Sequence, residues 1–107
     1  MCVKADVEVL FQFNGTRHRP TASGYRPDHL VKPGFVKTGE HFYYDVREVP
    51  PDGQARGAIR FLCPEMFPGC FWAGKEIPIR EGTRVVGKAI VLRILNPILA
   101  ADRQIDD

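Results

Sequence analysis

The sequence predicts an all-β domain, an antiparallel barrel or sandwich built from five or six short strands. Three observations carry that prediction. Residues 3–13 alternate with a period of two, Val3, Ala5, Val7, Val9, Phe11 and Phe13 facing one way and Lys4, Asp6, Glu8 and Gln12 the other. Ten glycines and nine prolines in 107 residues interrupt the chain too often for long helices. Between them lie several short runs rich in β-branched and aromatic residues, each closed by turn chemistry.

The elements follow in chain order. The first strand spans residues 3–13 and stops at Asn14-Gly15, a dipeptide suited to tight turns. Residues 14–39 hold Pro20, Gly24, Pro27, Pro33, Gly34 and Gly39, leaving room for one short strand near residues 29–32. Pro33 cannot donate to a ladder, so that strand is expected to be short or to lie at an edge, where chains could pair. Residues 40–49 form the next strand, ended by Pro50-Pro51-Asp52-Gly53, and residues 58–63 another, closed by Pro64. Residues 64–74 read as an irregular loop whose Phe67, Phe71 and Trp72 fold back onto the core. A strand at 76–80 turns at Glu81-Gly82 into the last strand, 85–95, and a frayed or weakly helical tail runs from Asn96 to Asp107. A closed barrel suits so short a chain because closure removes exposed strand edges.

Composition narrows the class of protein. Hydrophobic residues make up 44% and charged residues 26%, which fits a small globular domain rather than a disordered chain. The formal net charge of +2 is too mild to indicate nucleic-acid binding by itself. No stretch approaches the roughly 18–20 apolar residues of a membrane helix, and the early charges at Lys4 and Asp6 do not suit a secretory signal. Three cysteines, Cys2, Cys63 and Cys70, form no disulfide framework, and a cytoplasmic setting is expected.

Several segments, in order, carry a resemblance. Thr16-Arg17-His18 follows the first strand, Ser23-Gly24-Tyr25-Arg26-Pro27 comes next, and Val49-Pro50-Pro51-Asp52-Gly53 makes a proline-glycine turn. Ile59-Arg60-Phe61-Leu62-Cys63-Pro64 is a strand ending in proline, and Ile79-Arg80-Glu81-Gly82-Thr83-Arg84-Val85-Val86-Gly87 is the most specific run. Over residues 3–95 the chain resembles the third, C-terminal domain of bacterial elongation factor Tu. That resemblance implies a six-stranded antiparallel barrel of Greek-key type over residues 1–95, with 96–107 as a tail. It also implies a translation-related partner, and sets Arg17, His18, Gly82 and Arg84 beside the T-stem of aminoacyl-tRNA. The chain departs from the family at Asp28–Gly34 and in the 64–74 loop, where Phe67, Phe71 and Trp72 become candidates for contact with a protein partner.

Chemistry-bearing residues are few. Gly74-Lys75 and Gly87-Lys88 lack the Ser/Thr of a phosphate-binding loop, so neither nucleotide nor cofactor is expected. Ser23 has no evident His and acid beside it. Cys63 and Cys70 could share a metal with His29 or His41, or form a nucleophile pair with His41, but their spacing is not that of a structural zinc site. Charge is uneven, with Arg17, Arg19, Arg26, Lys32 and Lys37 set against Asp28 alone over residues 16–37. The expectation is a non-catalytic, stand-alone binding module for tRNA or a translation-related protein. The alternatives are a protein decoy or inhibitor imitating elongation factor Tu and, less favoured, a small cysteine-dependent enzyme.

Overall fold

The structure, a computed structural model, describes residues 4–101. Cys2, the Val3 start of the first predicted strand and residues 102–107 of the tail therefore lie outside the described residues. Six strands close into an antiparallel barrel: β1 (Val7–Phe13), β3 (Asp28–Lys32), β4 (Phe35–Tyr43), β6 (Gln54–Phe61), β7 (Glu76–Glu81) and β8 (Arg84–Ile94). Their order around the wall is β1-β6-β4-β3-β7-β8, with β8 returning to β1. Two short strands, β2 (Thr21–Ala22) and β5 (Glu48–Val49), pair as a flap outside the barrel. The predicted all-β barrel is what the chain forms. No helix among the described residues is long and apolar enough to cross a membrane.

The period-two pattern fills the interior. Val7, Val9, Phe11 and Phe13 of β1 are buried, and so are Ile77 and Ile79 of β7 and Val86, Ala89 and Val91 of β8. Asp6 departs from the pattern. The alternation assigns it to the polar face, yet it is buried, because its carboxylate ties three segments together. One oxygen accepts the Phe61 N–H at 2.7 Å and the other the Asn96 side-chain amide at 2.8 Å.

Several boundaries differ from expectation for local reasons. The strand expected at 40–49 starts five residues earlier, at Phe35, and ends at Tyr43, where Asp45 at φ 58° turns the chain before β5. The strand expected at 58–63 instead runs Gln54–Phe61, and Cys63 at φ 54° leads into a 3-10 turn at Pro64–Met66. Pro33 and Gly34, the latter at φ 77°, form the hairpin turn between β3 and β4, so β3 lies within the wall rather than at an open edge. The expected tail joins the body: a 3-10 turn covers Pro97–Leu99, Leu99 is buried, and Ala101 N–H donates to Phe71 O at 2.7 Å.

Glycines permit the closest strand contacts. A Cβ on Gly87 would lie 2.5 Å from Gln12 O, the close approach its place in the last strand suggests. At Gly57 it would lie 2.1 Å from the Phe42 carbonyl oxygen and 2.9 Å from the Phe11 ring. Gly57→Ala is therefore expected to cost about 3 kcal/mol or more. Thermal denaturation followed by circular dichroism reads this as a loss of roughly 10 °C or more.

Candidate nucleic-acid interface

One end of the barrel gathers the basic residues. Asn14 closes β1 and pins the following loop: its side-chain amide donates to Val85 O at 3.1 Å, and its side-chain oxygen accepts Thr16 N–H at 2.9 Å. Opposite, Gly82 at φ 66° makes the tight turn between β7 and β8. These two local features bring Arg17 against Glu81, a residue 64 positions away.

Glu81 is the centre of the cluster. One carboxylate oxygen takes the Arg17 guanidinium and the Tyr25 hydroxyl, the latter at 2.5 Å; the other takes Arg84 at 3.1 Å. Arg17 also lies 4.7 Å from the centre of the Tyr25 ring. The Tyr25 hydroxyl, then Arg17 and Arg84, hold the Glu81 carboxyl below its usual range despite partial burial. Burial, and then the bond to Glu81, raise the Tyr25 hydroxyl well above its usual value.

Of the four residues singled out in the sequence, Arg17, Gly82 and Arg84 converge, and His18 stands exposed on the same loop. They are not equivalent. The Arg17 side chain is 19% exposed and engaged with Glu81, Tyr25 and the Arg19 carbonyl, whereas that of Arg84 is 54% exposed. Arg19 is exposed too, and Arg80 donates to Gly82 O at 3.2 Å. Four guanidinium groups, from Arg17, Arg19, Arg80 and Arg84, thus sit in the two segments that meet at the Glu81 carboxylate. Such a surface suits charge-assisted bonds to phosphate oxygens. Glu81 and Tyr25 organise it, and the sequence marks that role only by one acid set between Arg80 and Arg84.

Beneath the cluster, Tyr25 packs edge-on against His41 with centroids 5.3 Å apart. His41 and His29 are fully buried, with their Nε2 atoms 2.8 Å apart. His29 Nδ1 lies 3.2 Å from Lys37 O, His41 Nδ1 3.0 Å from the Tyr43 hydroxyl, and that hydroxyl 2.9 Å from Thr21 Oγ1. A carbonyl only accepts, so His29 donates from Nδ1 and accepts at Nε2. His41 then donates from Nε2 and accepts at Nδ1 from Tyr43, which in turn accepts from Thr21. This direction satisfies every neutral group in the chain. Burial pushes His29 down to about 4 and, reinforced by His29, pushes His41 well below its ordinary range. Burial also drives the Tyr43 hydroxyl up to about 12.

The remaining candidates lie apart. Phe67 and Phe71 are 1% and 0% exposed, each in edge-to-face contact with Phe61, so they complete the core at the opposite end of the barrel. This corrects their assignment to partner contact, and of the three only Trp72 reaches the surface. Both ring nitrogens of His41 are engaged by His29 and Tyr43, so no Cys-His41 pair forms with Cys63 or Cys70. Among the described residues no three His, Cys, Asp or Glu side chains converge as a metal site. Ser23 Oγ accepts the Tyr43 N–H at 2.9 Å, a structural bond.

Two outcomes follow from this geometry. Arg17→Ala removes a charged partner from Glu81 and Tyr25 and is expected to cost about 2 kcal/mol of stability, measured by urea denaturation. The unfolded chain takes up histidine protons near pH 6.5, above the folded value of about 4 for His29. The unfolded state therefore binds more protons between those values, and stability falls as pH drops through that window, by about 3 kcal/mol for His29 alone. Urea titrations at pH 7, 6, 5 and 4.5 give the slope, which His29→Leu combined with His41→Leu should flatten. No protein-family model matches the sequence.

Proposed function

We propose that the protein is a non-catalytic binding module that takes RNA phosphate on the arginine-bearing end of its barrel, with tRNA as the preferred partner. The observation that carries this reading is the assembly around Glu81. Loop residues 16–19 and the β7–β8 turn, far apart in sequence, join into one face where Arg19 and Arg84 reach solvent. The resemblance of Thr16-Arg17-His18 and the Arg80–Gly87 run to the tRNA-facing turns of the third domain of elongation factor Tu supports the same choice.

The roles divide by exposure. Arg84, Arg19 and His18 contact phosphate, while Arg17 and Glu81 hold the two segments in register. The Gly82 turn leaves room for a backbone to approach, since nothing lies within 4 Å of a Cβ built there. A surface of this kind binds by releasing counterions, so affinity falls steeply with salt.

A gel-shift titration with aminoacyl-tRNA at 50 and 200 mM salt tests the reading. Binding is expected at the lower salt and should weaken at the higher. Arg84→Glu and Arg19→Glu should each weaken it severalfold and reduce the salt slope by about one unit. Arg17 is a poor choice of variant because its loss disturbs the fold. Absence of binding at low salt, or indifference to both substitutions, would overturn the proposal.

A further inference from the structure

The barrel has one incomplete seam. β3 and β7 share two residue pairs, Asp28 with Arg80 and His29 with Ile79. The next rung would set Leu30 against Pro78, and proline has no N–H to give. Backbone parity makes that a bonding rung. Lys75 O accepts Val91 N–H at 2.8 Å, so Lys75, Ile77 and Ile79 direct their backbone groups to β8 and Pro78 directs its own to β3. Pro27 O accepts Gly39 N–H at 3.2 Å, so Pro27 and His29 face β4 and Leu30 faces β7. The Leu30 carbonyl therefore points at a residue that cannot donate to it.

A groove of about 360 Å³ opens over this gap, with apolar surface from Leu30, Pro33, Pro78 and Trp72. Two ammonium groups border it. Lys75 donates to Cys70 O at 2.5 Å and lies 4.6 Å from the centre of the Trp72 ring; Lys32 lies across the groove, 5.4 Å from the Phe35 ring centre. Among the described residues neither lysine belongs to a salt bridge, and Glu76, the acid in the lining, is bonded to Lys88 at 3.1 Å. Partial burial lowers the Lys75 ammonium, Cys70 beside it works against that shift, and the positive charge of Lys32 adds to it. Among the described residues, the groove thus holds two ammonium groups with no salt-bridge partner beside a strand that lacks a donor.

We propose that this groove docks a short extended peptide carrying an acidic side chain. A peptide N–H supplies the Leu30 carbonyl with the bond that Pro78 withholds, and the carboxylate sits between Lys32 and Lys75. The peptide lies over the closed wall rather than within it, and the unpaired stretch is one rung long, because Lys32 already pairs with Phe35 across the hairpin. The site lies away from the arginine end and is independent of the RNA reading.

The test is an NMR titration with a blocked hexapeptide of alternating valine and glutamate. Saturable shifts are expected at the Leu30 amide, the Trp72 indole and Lys75, with slowed exchange at the one peptide amide that bonds to the Leu30 carbonyl. A valine–lysine hexapeptide should bind at least tenfold more weakly. Lys32→Glu should weaken the acidic peptide at least fivefold, and Pro78→Val, which restores the missing N–H, should let the ladder continue and weaken it as well. Any of four results overturns the proposal: no saturable shift, equal binding of the lysine peptide, full affinity in Lys32→Glu and Pro78→Val, or shifts confined to the arginine end. Peptide-free dimerisation through this groove, seen by light scattering, would assign it to a second copy and overturn it too.

Discussion

The structure depends on β1 meeting β8. Until a strand ending at Phe13 pairs with one beginning at Arg84, the aromatic face of β1 has nothing to enclose it. Seven residue pairs make that junction, and it tolerates no added bulk, since Gly87 lies against the Gln12 and Phe13 backbone. On the other side of β1, Gly57 makes room for Phe11 and the Phe42 carbonyl. Two positions without side chains thus let β1 sit deep in the wall, with Phe11 and Phe13 pointing into a shared core. Asp6 continues the same strand and secures the far end by binding Phe61 and Asn96.

Closure in turn links surface and interior at the arginine end. Glu81 binds Tyr25, Tyr25 packs on His41, and His41 bonds to His29 and Tyr43. The surface carboxylate and the buried imidazoles are therefore neighbours through a single aromatic ring. Such an arrangement suits a recognition surface, because loops that bind phosphate without anchorage lose much of the interaction to ordering entropy. Here the loop after β1 is held by Asn14 and Arg17 before any ligand arrives.

Much of this was legible because local chemistry and tertiary structure agree. The alternation of Val7 to Phe13, the Gly82 turn and the close approach at Gly87 could each be read from residue type and position. What could not be read depends on partners far away in the chain. Asp6 looks like an outward-facing acid until Phe61 and Asn96 are brought to it. His29 and His41 sit in runs of mixed polarity, and only the barrel turns both inward to satisfy one another. The inward fold of Phe67 and Phe71 was legible, and they lie with Phe61 and Leu99 in the core; what could not be read was that this burial removes both from partner contact and leaves Trp72 at the surface. The arginine cluster was visible as charge, but its organising carboxylate was not.

The missing rung at Pro78 also sets how the wall can come apart. With two residue pairs, β3–β7 is the shortest seam of the barrel, against seven at β1–β8 and six at β1–β6. It is the seam that costs least to part. A barrel unzipped there becomes an open sheet in the order β3-β4-β6-β1-β8-β7, with its other pairings intact. The fully buried residues on the two sides of that seam are His29 and Val31 on β3 and Ile77 and Ile79 on β7. One proline in a strand thus gives a closed cylinder a front and a back, and a preferred place to breathe.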